Sequence, residues 1–176
     1  MSNDHDYPSD SSHGQLFENT NHADSLENDL PTIKITSFGH RRGPLLPTPD
    51  LSFDCRALPN PPKNVRTGHT GLSKALRDAL FSKEEVQRRF QDICTFINAH
   101  IQQAQANGEQ SISVGVFCEL GKHRSVSMVE QLGQTRFNGW NVVVEHRDVH
   151  LRRSNQKNKL RRDRHSEEDN SDSDKL

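Results

Sequence analysis

Residues 118–126 read CELGKHRSV, and the first eight of these positions hold a thiol, a glycine, a lysine, an imidazole, an arginine and a hydroxyl. Such a set suits an anion. Lys122 and Arg124 supply cationic donors, and a guanidinium can hold a phosphate or carboxylate through two parallel hydrogen bonds. Ser125 adds a hydroxyl, and Gly121 lets the backbone approach closely or adopt positive φ. A helix beginning near His123 would aim its unpaired N–H groups and the positive end of its dipole at the same place. The chemistry expected is a cradle for phosphate or carboxylate. The plainer alternative is a capped helix with surface charge.

A catalytic alternative stays open. Cys118 and Arg124 bracket five residues, the C-x5-R spacing of cysteine-dependent phosphatases, in which a thiolate attacks phosphorus while loop N–H groups and the arginine hold the oxygens. Here Phe117 stands where those enzymes usually carry histidine, and Glu119 places a carboxylate beside the thiol. A carboxylate there opposes thiolate formation and the approach of phosphate.

The loop needs elements to position it. SISVGVF (111–117) alternates as a strand does and leads into it, and a helix from about His123 to Gln134 leads away. Upstream, TIKITSF (32–38) alternates Ile33 and Ile35 with polar residues, and LSFDCRAL (51–58) is a short strand stopped by PNPP. The stretch NVRTGHTG reads as a turn-rich loop. Residues 72–80 place Leu72, Ala75, Leu76, Ala79 and Leu80 on one helical face. A second helix opens with Ser82 and Glu85 as a capping box, carries Val86, Phe90, Ile93, Ile97 and Ile101 as a stripe, and ends at Gly108. NVVVEH (141–146) is apolar at its centre, like a buried parallel strand. Strands alternating with helices predict an α/β fold: a small, mostly parallel sheet with flanking helices.

Charge divides the chain into three. Residues 1–30 hold seven acidic residues and neither lysine nor arginine, and read as a disordered acidic arm. Residues 31–150 form the candidate domain. Residues 151–176 turn basic and then acidic, and read as a disordered tail whose cations Arg152, Arg153, Lys157, Lys159, Arg161, Arg162 and Arg164 could meet nucleic-acid phosphates. Overall 30% of residues are hydrophobic, too few for all 176 residues to share one core. No run approaches a membrane span, and no secretory signal follows Met1. Three cysteines without framework spacing fit a reducing compartment, so a cytoplasmic or nuclear location is expected.

On these residues the chain resembles the RapZ family, in its C-terminal domain. CELGKHRSV is similar to that family's C-T-G-G-[KQ]-H-R-S-V. SFGHRRGP (37–44), LSFDCRALPNPP (51–62), HTGLS (69–73) and VVVEHRDV (142–149) resemble further family motifs in the same order. Family members carry a P-loop domain before this one, but the chain contains no G-x-x-x-x-G-K-[ST]. The resemblance implies an α/β regulatory or adaptor domain that binds a phosphosugar-type ligand, binds RNA and forms a homo-oligomer. It implies ligand-binding roles for Cys118, Gly121, Lys122, His123, Arg124 and Ser125, and for Thr70, Gly71, His146, Arg147 and Asp148. Two positions depart from the pattern: Thr-Gly at the loop centre is Glu119-Leu120 here, and Pro62 stands where members often have histidine.

The remaining candidates read more plainly. Asp54 and Arg56 are a structural charge pair, Cys94 belongs to the core, and Asn60 stabilises a turn between prolines. His146 and His150 lack nearby ligands in a coordinating pattern, so no metal and no cofactor are expected. The expected function is phosphate-ligand binding rather than catalysis, with the Cys118–Arg124 phosphatase as the alternative.

Overall fold

The computed structural model describes residues 30–151. Two-residue spacing sends Ile33 and Ile35 of strand β1 (Thr32–Gly39) to one side of a sheet, beside Ile112, Val114 and Val116 of β3 (Ser111–Cys118) and Phe53 of β2 (Leu51–Asp54). β4 (Asn141–His146) completes four strands in the order β2-β3-β1-β4, all parallel. Helices α2 (Lys74–Phe81), α3 (Glu84–Asn107) and α4 (Arg124–Gly133) bury Leu80, Val86, Ile93, Ile97, Met128, Val129 and Leu132 against these side chains. A four-residue helix, α1 (Lys63–Arg66), precedes them.

The strand order explains the layering. The connections β2–β3 and β3–β4 move the same way across the sheet, so right-handed crossovers put their helices on one face. The β1–β2 connection, residues 40–50, moves the other way and takes the opposite face. That face is correspondingly polar: Lys34 and Glu145 pair there at 2.7 Å, both half exposed. The segment is fastened by Asp50, which accepts the Ser113 N–H and hydroxyl at 2.7 and 2.6 Å. It presses Pro49 and Leu45 so close to Gly115 that a Cβ there would lie 2.9 and 3.2 Å from them.

Four local expectations change, the first being that α1 occupies the start of the stretch read as a turn-rich loop. β2 stops at Asp54, and only the Cys55 N–H extends its ladder, to the Phe117 carbonyl at 2.8 Å. The Ser82–Glu85 capping box does not form: α3 is capped at Lys83 without a side-chain bond, and the Ser82 hydroxyl turns back to the Ala79 carbonyl at 3.0 Å. A serine between two helices can serve either end, and here it closes α2. β4 is not buried, because it is the sheet edge. Val142 and Val144 half-bury against the core, whereas Val143 faces outward at 45% exposure. The expected C-cap holds, with Gly108 left-handed at φ 71°. Cys94 packs against the core as a partly buried side chain. The acidic arm through residue 29 and the tail beyond residue 151, with its seven cations, lie outside the described residues.

Candidate functional site

Parallel strands bring all their C-terminal ends to one edge, and the 118–126 loop lies at the edge of a central strand. Cys118, the last residue of β3, is buried. Its Sγ lies 3.2 Å from the Ser125 hydroxyl, and the backbone N–H groups of Ser125, Gly121 and Lys122 are directed at the same sulfur. Burial pushes the thiol pKa up, but these hydrogen bonds outweigh burial and leave it below its ordinary value. Glu119 does not oppose this as expected. Its carboxylate pairs with Arg41, and the larger causes of the shift are burial and the hydrogen bonds from Ser125, Gly121 and Lys122.

Gly121 shapes the loop. Its φ is 67°, and an added Cβ would lie 2.5 Å from the Gly39 nitrogen and 2.7 Å from the Phe38 carbonyl carbon. The loop thus lies flat against the end of β1, a path open only to glycine. Gly71 does the same from the other side. Its N–H donates to the Lys122 carbonyl at 2.8 Å, and its Cα sits against the first turn of α4. Thr70 closes the turn that follows, accepting the Ser73 N–H at 3.0 Å.

Two adjoining cavities open on this loop. One of about 160 Å³ is floored by Cys118 and Arg124 and walled by Asn60 and Glu119. The other, about 490 Å³, reaches Lys63, His69 and Thr70, and both share Arg66, Lys122 and His123. Lys63, Arg66, Lys122 and Arg124 face a single acid, Glu119, which is already paired with Arg41. His123 Nε2 lies 3.1 Å from the His69 carbonyl oxygen, joining the loop to the 63–70 segment.

Arg124 is spoken for in part. It is 8% exposed and donates through one guanidinium nitrogen to the carbonyls of Arg56 and Leu58, at 2.5 and 2.8 Å. It therefore anchors the chain leaving β2 as well as flooring the smaller cavity. Asp54 and Arg56 form the expected pair at 2.7 Å, and the Arg56 guanidinium lies over the Phe117 ring.

His146, Arg147 and Asp148 line neither cavity. Asp148 accepts the Gly39 N–H at 2.7 Å behind Gly121. Arg147 donates to the carbonyls of Pro44 and Gly43 at 2.6 and 3.0 Å, and to Asp148. His146 bridges the buried Ser37 hydroxyl at 2.7 Å and Glu130 at 3.0 Å. Glu130 also accepts from Arg77. These residues brace the loop from the rear.

Lys63, Arg66 and His69 line these cavities and were not among the residues singled out from sequence. Pro61-Pro62 before KNVR was the available signal, since proline favours a helix start. Pro62 caps α1, which carries Lys63 and Arg66 to the cavities. Among the described residues no group of three or more His, Cys, Asp or Glu could hold a metal ion. None of their helices is long and apolar enough to cross a membrane.

The RapZ C-terminal domain family matches residues 31–150. Proteins called nucleotide-binding protein are similar over part of the chain. That of Pseudomonas syringae pv. tomato is 38% identical over 117 residues, 65% of this chain and 41% of its own length. That of Fervidobacterium nodosum is 36% identical over 121 residues, 68% and 43% of the two chains. That of Clostridioides difficile is 34% identical over 129 residues, 72% and 45%. The chain thus spans under half the length of these relatives. The match covers most of the chain, and the chain belongs to the RapZ C-terminal domain family.

Proposed function

We propose that this domain binds a small phosphorylated ligand across the two cavities and serves as a regulatory or adaptor domain. The carrying observation is the charge of the site: Lys63, Arg66, Lys122 and Arg124 surround it, and its one acid is neutralised by Arg41. A doubly charged phosphate entering there meets cations without a competing carboxylate. The cavities also suit a group larger than phosphate itself, since small-molecule sites span roughly 300–1,000 Å³. A phosphosugar fits that description. So does a nucleotide, in keeping with the name nucleotide-binding protein carried by the relatives. RNA binding through the 152–164 cations and assembly with further copies belong to the same proposal.

Thermal-shift titration with inorganic phosphate, hexosamine phosphates and nucleotides tests it. Saturation at 100 times Kd adds about 2.7 kcal/mol to stability. Lys122→Ala and Arg66→Ala should each remove most of the shift. The reading fails if both variants keep the full shift, or if no phosphorylated compound stabilises the wild type.

The phosphatase alternative has one observation in its favour, the lowered Cys118 pKa. Against it, the Arg124 guanidinium is turned to two carbonyls. Negligible hydrolysis of a generic aryl phosphate is expected. Turnover lost in Cys118→Ser and kept in Cys94→Ser would establish the phosphatase instead.

A further inference from the structure

Beside Cys118, which lines the smaller cavity, the core holds a second thiol, Cys55. β2 and β3 run in register with Asp54 beside Phe117, and the Cys55 N–H to Phe117 carbonyl bond carries that register one step further, to Cys55 beside Cys118. Both side chains belong to the same core cluster, so they lie on the same face of the sheet. Neighbouring strands are about 4.8 Å apart, and a disulfide joins Cα atoms roughly 4.4–6.8 Å apart. Cys55 stands just past the last residue of β2, held in register by its N–H bond to the Phe117 carbonyl.

We propose that Cys55 and Cys118 form a redox pair in which a peroxide entering the cavity oxidises Cys118 and Cys55 then closes a reversible disulfide. The two thiols differ as such a pair requires. Cys118 lines the cavity and has N–H and hydroxyl donors to hold a thiolate. Cys55 is fully buried, and burial pushes its pKa up to about 12, so it stays a thiol until a partner is activated beside it. The cavity of about 160 Å³ exceeds several-fold the roughly 30 Å³ of a water molecule, and admits a peroxide.

The chemistry balances in two steps. The Cys118 thiolate attacks one peroxide oxygen, the O–O bond breaks, hydroxide leaves and a sulfenic acid remains. The Cys55 sulfur then attacks the Cys118 sulfur. The S–S bond forms, the S–O bond breaks, and the thiol proton leaves with the oxygen as water. Two electrons pass from the thiols to the peroxide. The disulfide draws Sγ away from Ser125 and from the N–H groups of Gly121 and Lys122, so the loop that faces the cavities loses the acceptor that organises it.

The full chain is treated with hydrogen peroxide under native conditions, the remaining thiols are alkylated, and tryptic peptides are mapped by mass spectrometry. A Cys55–Cys118 peptide lacking two hydrogens is expected, returned to free thiols by dithiothreitol. Cys118 should be consumed about tenfold or more faster than Cys94, whose thiol is pushed up by burial. In Cys55→Ala the sulfenic acid at Cys118 should persist and be trapped by dimedone; if that variant does not fold, the wild-type map alone decides. A cross-link that involves Cys94, or Cys118 left reduced while Cys94 reacts, overturns the proposal. The readout is a mass and needs no ligand, so the outcome is independent of phosphate binding.

Discussion

Gly121→Ala separates two reasons for a glycine that are usually confounded. Gly121 and Gly68 share a positive φ, 67° and 77°, so alanine at either incurs the same backbone penalty of about 1–2 kcal/mol. Both substitutions also reduce the freedom of the unfolded chain, which returns roughly 0.4–1 kcal/mol. Only the surroundings differ. A Cβ at Gly68 meets nothing within 4 Å, whereas one at Gly121 lies 2.5 Å from the Gly39 nitrogen and 2.7 Å from the Phe38 carbonyl carbon. Those neighbours are backbone at the end of a central strand and cannot swing aside. Forcing them apart adds about 1–3 kcal/mol. Gly68→Ala should therefore lose about 1 kcal/mol or less, and Gly121→Ala about 2–4 kcal/mol. Urea unfolding followed by circular dichroism measures both, with unchanged m-values as the check that the two-state comparison holds. If the two variants agree within about 0.5 kcal/mol, the close approach of the loop to β1 contributes nothing, and the account of the loop is wrong.

Arg124→Ala should destabilise the domain by about 2–4 kcal/mol in the absence of any ligand, since it strips two carbonyls of a charged donor. Chemical denaturation shows this, and a neutral result would mean that the guanidinium is free for ligand. Cys55, with its pKa pushed up to about 12, stabilises the fold fully below the unfolded thiol value of about 9 and loses that contribution as pH rises toward 12. Roughly 2 kcal/mol should be gone by about pH 10.5, and Cys55→Ala should flatten the alkaline limb of the stability–pH curve. If residues 151–164 contact RNA, truncation to 1–150 should reduce both affinity and its salt dependence, by up to ~0.7 log units per log unit of salt for each lost phosphate contact. Filter binding at several salt concentrations measures it, and identical slopes for the two chains would place RNA binding on the folded domain.

Much of the fold was legible because it rests on local regularities. The alternation of Ile33 and Ile35, the stripe from Val86 to Ile101 and the left-handed Gly108 are consequences of strand and helix period and of glycine's freedom, and they survive into the structure. Where two local solutions compete, sequence did not choose. Ser82 could cap the helix after it or close the one before it, and the packing of α2 against α3 settled on the latter. The apolar NVVVEH suits a buried strand or an edge strand equally, and only the order β2-β3-β1-β4 leaves one flank of β4 open.

The site divides along the same line. A strand, a glycine-bent loop and a helix start are contiguous in sequence, so the turn at CELGKHRSV, with its cations and glycine, was legible from residue types alone. The direction each side chain takes is set by groups far away in the chain. Arg124 turns inward because the carbonyls of Arg56 and Leu58 wait there, some 66 residues away. Glu119 is drawn off by Arg41, and His146 spans Ser37 and Glu130. Arg66 and Lys63 reach the cavities through a four-residue helix too short to show a period. Cys55 meets Cys118 only through the register of two parallel strands separated by three helices. Sequence determined which residues could do the chemistry, because identity and local period are written in neighbouring positions. Tertiary structure decided which of them face one another, because a strand register and a hydrogen-bond partner belong to segments that only folding brings together.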